Sequence, residues 1–264
     1  MANLKIDTTV DLQLQNWNNF CQYHAGENWH GIWTRYSPDG KAIQSFKSIR
    51  SFSLNDDGNE IIHQNYYTYA DGKTESKNIS SYIKPDTTLL FLGKSFSVLF
   101  LDNSYSWGNT EISANAPFGF EIGFRDEDKR ASASVIYNQN GTINYITVIP
   151  ENLVGFTEES SVLSGNELSR ERWSGQGKSI LPNLTTTEPV ATTWTRLEDL
   201  NKDYLTLHFQ DGISLSSPHQ LESGNEFCLV VDWLVHPTLL YRGTRHFDTA
   251  GFSCFTLEVF TQDK

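Results

Sequence analysis

Short aromatic and β-branched runs follow one another along the first 150 residues, cut apart by the turn signals PDG (38–40), NDDGN (55–59), ADGK (70–73) and NQNG (138–141). Gly, Asn and Asp supply the positive-φ positions of tight hairpins, so this punctuation leaves little room for helices. The runs between the turns read GIWTRY, AIQSFKSIRSFSL, EIIHQNYYTYA, KNISSYI, TLLFLG, SFSVLFLD, FGFEIGFRD, RASASVIYN and TINYITVIP. Their composition suits a pleated, half-buried surface, and evenly spaced hairpins predict an all-β, up-and-down antiparallel barrel. Within QSFKSIRSFSL, Phe46, Ile49, Phe52 and Leu54 do not share one parity, which predicts a bulge or bend partway along that strand.

One helix is expected. In LQLQNWNNFCQYHAG, Leu12, Leu14, Trp17, Phe20 and Cys21 fall mostly at helical spacings and Gly26 provides a stop, so a short N-terminal helix should cover one barrel mouth. Residues 151–190 are rich in Ser, Thr, Gly and Glu without periodicity and read as the start of a connecting segment. Strand-like runs then resume with ATTWTRLED, DYLTLHFQDG, ISLSSPHQL, EFCLVVDWLVH, TLLYRGTRHF and FSCFTLEVFTQ. The expected organisation is therefore two tandem barrel-like modules, residues 1–155 and 156–264, with one larger continuous barrel as the alternative.

Apolar runs such as LLFLG and FCLVVDWLV fall well short of the roughly 20 residues of a membrane-spanning helix, so no membrane insertion is expected. The N-terminus lacks a basic segment followed by an apolar one, which points to a cytoplasmic protein, and plastid import is unsupported. A formal net charge of −12 argues against nucleic acid, whose binding draws on clustered Lys and Arg. Three cysteines, Cys21, Cys228 and Cys254, without Cys-x-x-Cys spacing suggest reduced, packed thiols. Seven histidines show neither His-x-His nor His-Glu-x-x-His spacing, so no metal is expected. SGQGKS (174–179) imitates a phosphate loop but lacks its full pattern and is read as a flexible turn. No nucleophile motif is visible, and the enzyme question stays open, with a noncatalytic protein preferred.

Gly31 and Trp33 in GIWTRY are similar to the Gly-x-Trp signature of lipocalins and other calycins, in which the Trp closes the barrel floor and a late-strand Arg packs over it. DWLVHP, LLYRGTRHF and GFSCFTLEV resemble the last strands of the S-type phycobilin lyases, with two residues missing between Ser253 and Glu258 and no terminal Ile-Arg. NWNNFCQYHAGENWHGIWTRYSPDG followed by FKSIRSF resembles an uncharacterised group of cyanobacterial and plastid calycin-like proteins, a domain of unknown function. That resemblance implies a fold and no activity.

Trp33 is read first as a structural plug, with stacking on a ligand as the alternative. Arg35, Arg50 and Arg130 are expected to be exposed or stacked on aromatics, one of them reaching a ligand carboxylate in the alternative. On TLLYRGTRHF, Arg242, Thr244 and His246 share one face and Tyr241, Gly243 and Arg245 the other, so at most one of the two arginines should face inward. Glu258 either pairs with an inward Arg or is an exposed cross-strand neighbour. The candidate ligand-contacting set is Trp33, Arg35, Arg50, Trp233, Tyr241, Arg242, Arg245 and Glu258. No cofactor is required by the sequence. The expected function is binding of a small apolar or amphipathic ligand in a barrel, and a bilin or other tetrapyrrole fits because it joins a flat conjugated body to carboxylates. Two alternatives stand beside it: the lyase resemblance implies a phycobilin lyase or chromophore chaperone with a phycobiliprotein partner, and small barrels filled by their own side chains serve as interaction modules.

Overall fold

The computed structural model describes residues 8–84, 92–93, 96–114, 116–156 and 173–262. After the helix α1 (Thr8–Tyr23), ten strands follow: β1 (Asn28–Tyr36), β2 (Ala42–Leu54), β3 (Glu60–Thr68), β4 (Thr74–Ile83), β5 (Leu92–Gly93), β6 (Phe96–Leu101), β7 (Ser104–Asn109), β8 (Phe118–Asp126), β9 (Lys129–Tyr137) and β10 (Ile143–Asn152). The second part holds β11 (Trp173–Ile180), β12 (Val190–Thr193), the one-turn helix α2 (Leu197–Leu200), β13 (Tyr204–His208), β14 (Ile213–Pro218), β15 (Phe227–His236), β16 (Leu239–Asp248) and β17 (Gly251–Gln262). Most of the expected run TLLFLG, and residues 157–172 of the expected connecting segment, lie outside the described residues.

Two antiparallel sheets result, ordered β4-β3-β2-β1-β10-β9-β8-β7-β6-β5 and β12-β11-β17-β16-β15-β14-β13. The first is strongly curled. On a flat sheet, β3 and β7 would lie roughly 29 Å apart at ~4.8 Å per strand. The rings of His63 on β3 and Trp107 on β7 are nevertheless 5.7 Å apart. This all-β, barrel-like architecture is the one expected.

Helix α1 packs into the concave side of the first sheet through Gln13, Asn16, Trp17 and Phe20, with His24 just beyond its end. Asn16 acts as a surrogate strand residue: its Nδ2 donates to Val98 O (3.1 Å) and its Oδ1 accepts from Phe100 N (2.7 Å). Phe20 stacks on Phe100 and meets Phe52 and Tyr82 edge-on, closing an aromatic cluster at one end of the curl. The convex face of β8, β9 and β10 packs instead against β14, β15, β16 and β17, so the two sheets share one apolar core that includes Phe120, Ile122, Phe124, Val231 and Leu257.

Two expectations change. Phe46, Ser48, Arg50 and Phe52 all point inward, so β2 keeps strict parity over this span and needs no bend there; the inward positions were obscured because two of them are polar. SGQGKS is not a turn but part of β11, where Gly175 is required because a Cβ would stand 2.2 Å from Val259 O. Close strand packing overrides the local turn propensity of its glycines.

Candidate ligand site

Alternation along β1 turns Trp29, Gly31, Trp33 and Arg35 toward the concave face and His30, Ile32, Thr34 and Tyr36 toward the second sheet. Each face builds a different feature.

On the concave side, Arg50 Nη1 donates to Glu121 Oε1 (2.8 Å) and its Nε lies 3.2 Å from Glu151 Oε1. Arg130 Nε donates to Glu151 Oε2 at 2.7 Å. Glu121 Oε1 also accepts from Tyr105 Oη (2.7 Å) and Ser132 Oγ (2.9 Å). Gly31 is what lets Glu151 cross β1: a Cβ there would sit 2.6 Å from Glu151 Cγ and 2.8 Å from Pro150 O. The guanidinium of Arg130 lies 4.4 Å from the ring centre of the fully buried Trp29, and that of Arg50 5.0 Å from Trp33. The floor tryptophan is therefore Trp29, whose Nε1 donates to His24 O at 3.3 Å. Trp33 is only half-buried, and its Nε1 has no acceptor among the described residues.

Two arginines and two glutamates make this cluster neutral. Burial opposes charge on Arg50, but Glu121 and Glu151 more than offset it and hold its pKa well above the ordinary value. Burial would raise Glu121, yet Arg50 and the hydroxyl donors keep it below the usual carboxylate range. Burial and Arg50 push His63 down to about 3, and burial with Arg130, Arg125 and Arg50 pushes His24 well below its usual value. Glu121 thus stays ionised and the two histidines neutral, which is a structural ion cluster and not an acid–base pair. Of the two placements expected for them, exposed or stacked on aromatics, Arg50 and Arg130 take the second, each only 1% exposed. Arg35 sits nearer solvent, donating to Gln44 Oε1 (2.9 Å) beside Phe46 and Tyr145.

In the second sheet, Arg242 and Arg245 do face opposite ways, but both are buried, because the sheet has a covered surface on each side. The expectation that at most one faces any one side therefore holds, and what changes is that the other is covered as well. Arg242 forks onto Asp232 (Nε–Oδ1 2.7 Å, Nη2–Oδ2 2.8 Å) and donates to Thr195 O (2.7 Å). Glu258 stands opposite Arg242 in register but accepts from Thr192 Oγ1 (2.7 Å), since Asp232 on the other neighbouring strand takes the guanidinium. Arg245 reaches the first sheet, donating to Ser97 Oγ (2.9 Å), Ser106 Oγ (2.9 Å), Asn109 O (2.9 Å) and Gly108 O (3.3 Å). Burial without a carboxylate pulls its pKa down to about 9. Tyr241 donates to Asp126 Oδ1 (3.0 Å), and Trp233 lies against Phe124 and Tyr241.

The other face of β1 lines a cleft of about 710 Å³ between the sheets. Its walls are β1, β9 and β10 on one side and the end of β15 on the other, with Ile32, Val148, Pro150, Trp233 and Val235 among its apolar groups. A register shift between Leu234 and His236 turns His236 into it, 3.6 Å from Asp126. Of the eight-residue candidate set only Trp233 lines this cleft, joined by Arg130, the arginine weighed beside Arg35 and Arg50; His30, Lys129, Asn152 and His236 were missed, because the cleft forms between sheets and leaves no local pattern. Among the described residues no cluster of His, Cys, Asp or Glu is arranged to hold a metal ion, and no helix is long and apolar enough to cross a membrane.

Residues 13–156, more than half of the chain, match the family model for the N-terminal part of a domain of unknown function, DUF3598. Residues 178–259 match the C-terminal domain of biogenesis factor required for ATP synthase 1. A DUF3598 protein of unknown function from Nostoc punctiforme has the same fold, with a TM-score of 0.74 at 18% identity, 94% of this chain and 99% of that chain being covered. A putative outer membrane protein from Bacteroides fragilis (TM-score 0.24, 9% identity, 95% and 99% covered) and kievitone hydratase from Nectria haematococca (0.22, 8%, 93% and 92%) are too dissimilar to inform the fold. No curated protein matches the chain.

Proposed function

From the premise that this chain belongs to the DUF3598 family, we propose that it is a noncatalytic binder of a small amphipathic ligand, held in the cleft between its two sheets. One observation carries this reading: a concavity of about 710 Å³ whose walls join apolar side chains to a few polar ones, the usual make-up of a small-molecule site. The barrel interiors offer less. The floor of the first curl is filled by α1 and the ion cluster, and the side of the second sheet turned away from the first by Trp173, Leu234, Leu240 and Phe260. Titration with bilins, haem, carotenoids and fatty acids, followed by absorbance and tryptophan fluorescence, tests the reading. Binding in the micromolar range by one of these, lost in Ile32→Trp, is the expected outcome; no response to any probe would refute it. A tetrapyrrole is the first probe because its flat body could lie along Trp233.

A second reading rests on the C-terminal match. The filled sheet of residues 173–262 would act as a docking module in the biogenesis of ATP synthase, for which the matching factor is, by its name, required. Co-purification with ATP synthase subunits, compared between wild type and an empty-bait control, tests it.

A further inference from the structure

The cleft is not uniform along its length. Register places His30 beside Asn152 and Asn152 beside Lys129, so three strands present one row of side chains at the end of the cleft. All three can donate hydrogen bonds. His30 Nδ1 is buried without a partner among the described residues. Asn152 Oδ1 accepts from Val154 N (2.8 Å), which leaves its NH₂ group as a donor. Lys129 forms no ion pair among the described residues, whereas the nearby Asp126 is engaged by Tyr241 Oη and His236. The next row along the same strands is Ile32, Pro150 and Ala131, and beyond it lie Thr34 and Val148. Trp233 and Val235 face them across the gap. The opposite end carries Asp211. From His30 to Tyr36 the wall runs roughly 20 Å at ~3.4 Å per residue.

The geometry points to an amphiphile with a single anionic head, carboxylate or phosphate, its head on the His30–Asn152–Lys129 row and its tail along Ile32, Val148 and Trp233. This rests on the proposed function and adds the charge and direction of the ligand. A donor row at one end and an acid at the other give the cleft a polarity that a neutral or cationic head would not exploit.

The test compares four probes of equal chain length on the full chain by calorimetry below their aggregation thresholds: dodecanoate, dodecyl phosphate, dodecanol and dodecyltrimethylammonium. Dodecanoate, dodecyl phosphate or both should bind at least tenfold more tightly than dodecanol, with the cation weakest, and the better of the two identifies the head. Lys129→Gln should cost the anions about tenfold and leave dodecanol unchanged; a purely structural role for Lys129 would weaken all probes alike. Asn152→Leu, with its fold checked by circular dichroism, gives an independent variant of the same row. Equal affinities for acid and alcohol, unaffected by either variant, would overturn the anionic head while leaving the cleft as a binding site. If no probe binds, or if Ile32→Trp does not weaken binding, the cleft itself is refuted and this inference with it.

Discussion

Both sheets bury arginine, and they neutralise it in opposite ways. In the first, Arg50 and Arg130 share Glu151, and Arg50 adds Glu121, so the charges form one connected cluster. In the second, each arginine stands apart: Arg242 is the one ion-pair partner of Asp232 among the described residues, and Arg245 is surrounded by neutral hydroxyl and carbonyl oxygens. A shared carboxylate makes several residues depend on one, whereas private or neutral partners confine the damage of any loss. Burial of the charge is the same in both cases; what differs is how far a single substitution spreads.

The largest effect should therefore follow Glu151→Gln, which removes the ion-pair partner of Arg130 and half of the counter-charge of Arg50. A loss of about 3–5 kcal/mol in urea unfolding is expected. Asp232→Asn strands one arginine that keeps Thr195 O, and should cost about 3 kcal/mol. If the two variants prove equal, the cluster is no more interdependent than the isolated pair and the contrast fails. Arg245→Met should cost only about 1–2 kcal/mol, because desolvation of the unpaired guanidinium is relieved while the carbonyls of Gly108 and Asn109 lose their donor.

The last effect is spread over pH. His63, held near 3, stays neutral in the folded protein while its unfolded form protonates below the ordinary 6.5. The unfolded chain then binds the extra proton, so stability falls as pH drops from about 6.5 toward 3, by at most about 1.4 kcal/mol per unit for one histidine. Urea midpoints at pH 7, 6 and 5 should fall less steeply in His63→Gln than in wild type; parallel slopes would place the acid sensitivity elsewhere.

Much of the fold was legible because turn chemistry is local. The expected segments AIQSFKSIRSFSL and FGFEIGFRD coincide with β2 and β8, and the buried face of α1 includes Trp17 and Phe20 as expected. Strand β7 was missed: SYSWGN is short and polar, and its serines are buried because the second sheet covers them. The ion cluster was half legible. Arg50 stood out, but its partners Glu121 and Glu151 lie far along the chain, where no periodicity links them. Two traces were present: the Gly-x-Trp pair, whose glycine makes room for Glu151, and FGFEIGF, where glycines flank Glu121 on one face. A Cβ on Gly123 would collide with Tyr105, 2.3 Å from Cζ, so that glycine admits the phenol that donates to Glu121.

Arg245 binds oxygens on β6 and β7 from its place on β16, across a seam of shared apolar core. Such a seam has the character of contact between permanently associated subunits, and each half alone would expose its apolar side to water. Separated between residues 156 and 173, the two parts should behave as complementary fragments, poorly soluble apart and restored when produced together. A gene split at that point would encode two obligate partners, so that change in either half is constrained by the surface of the other.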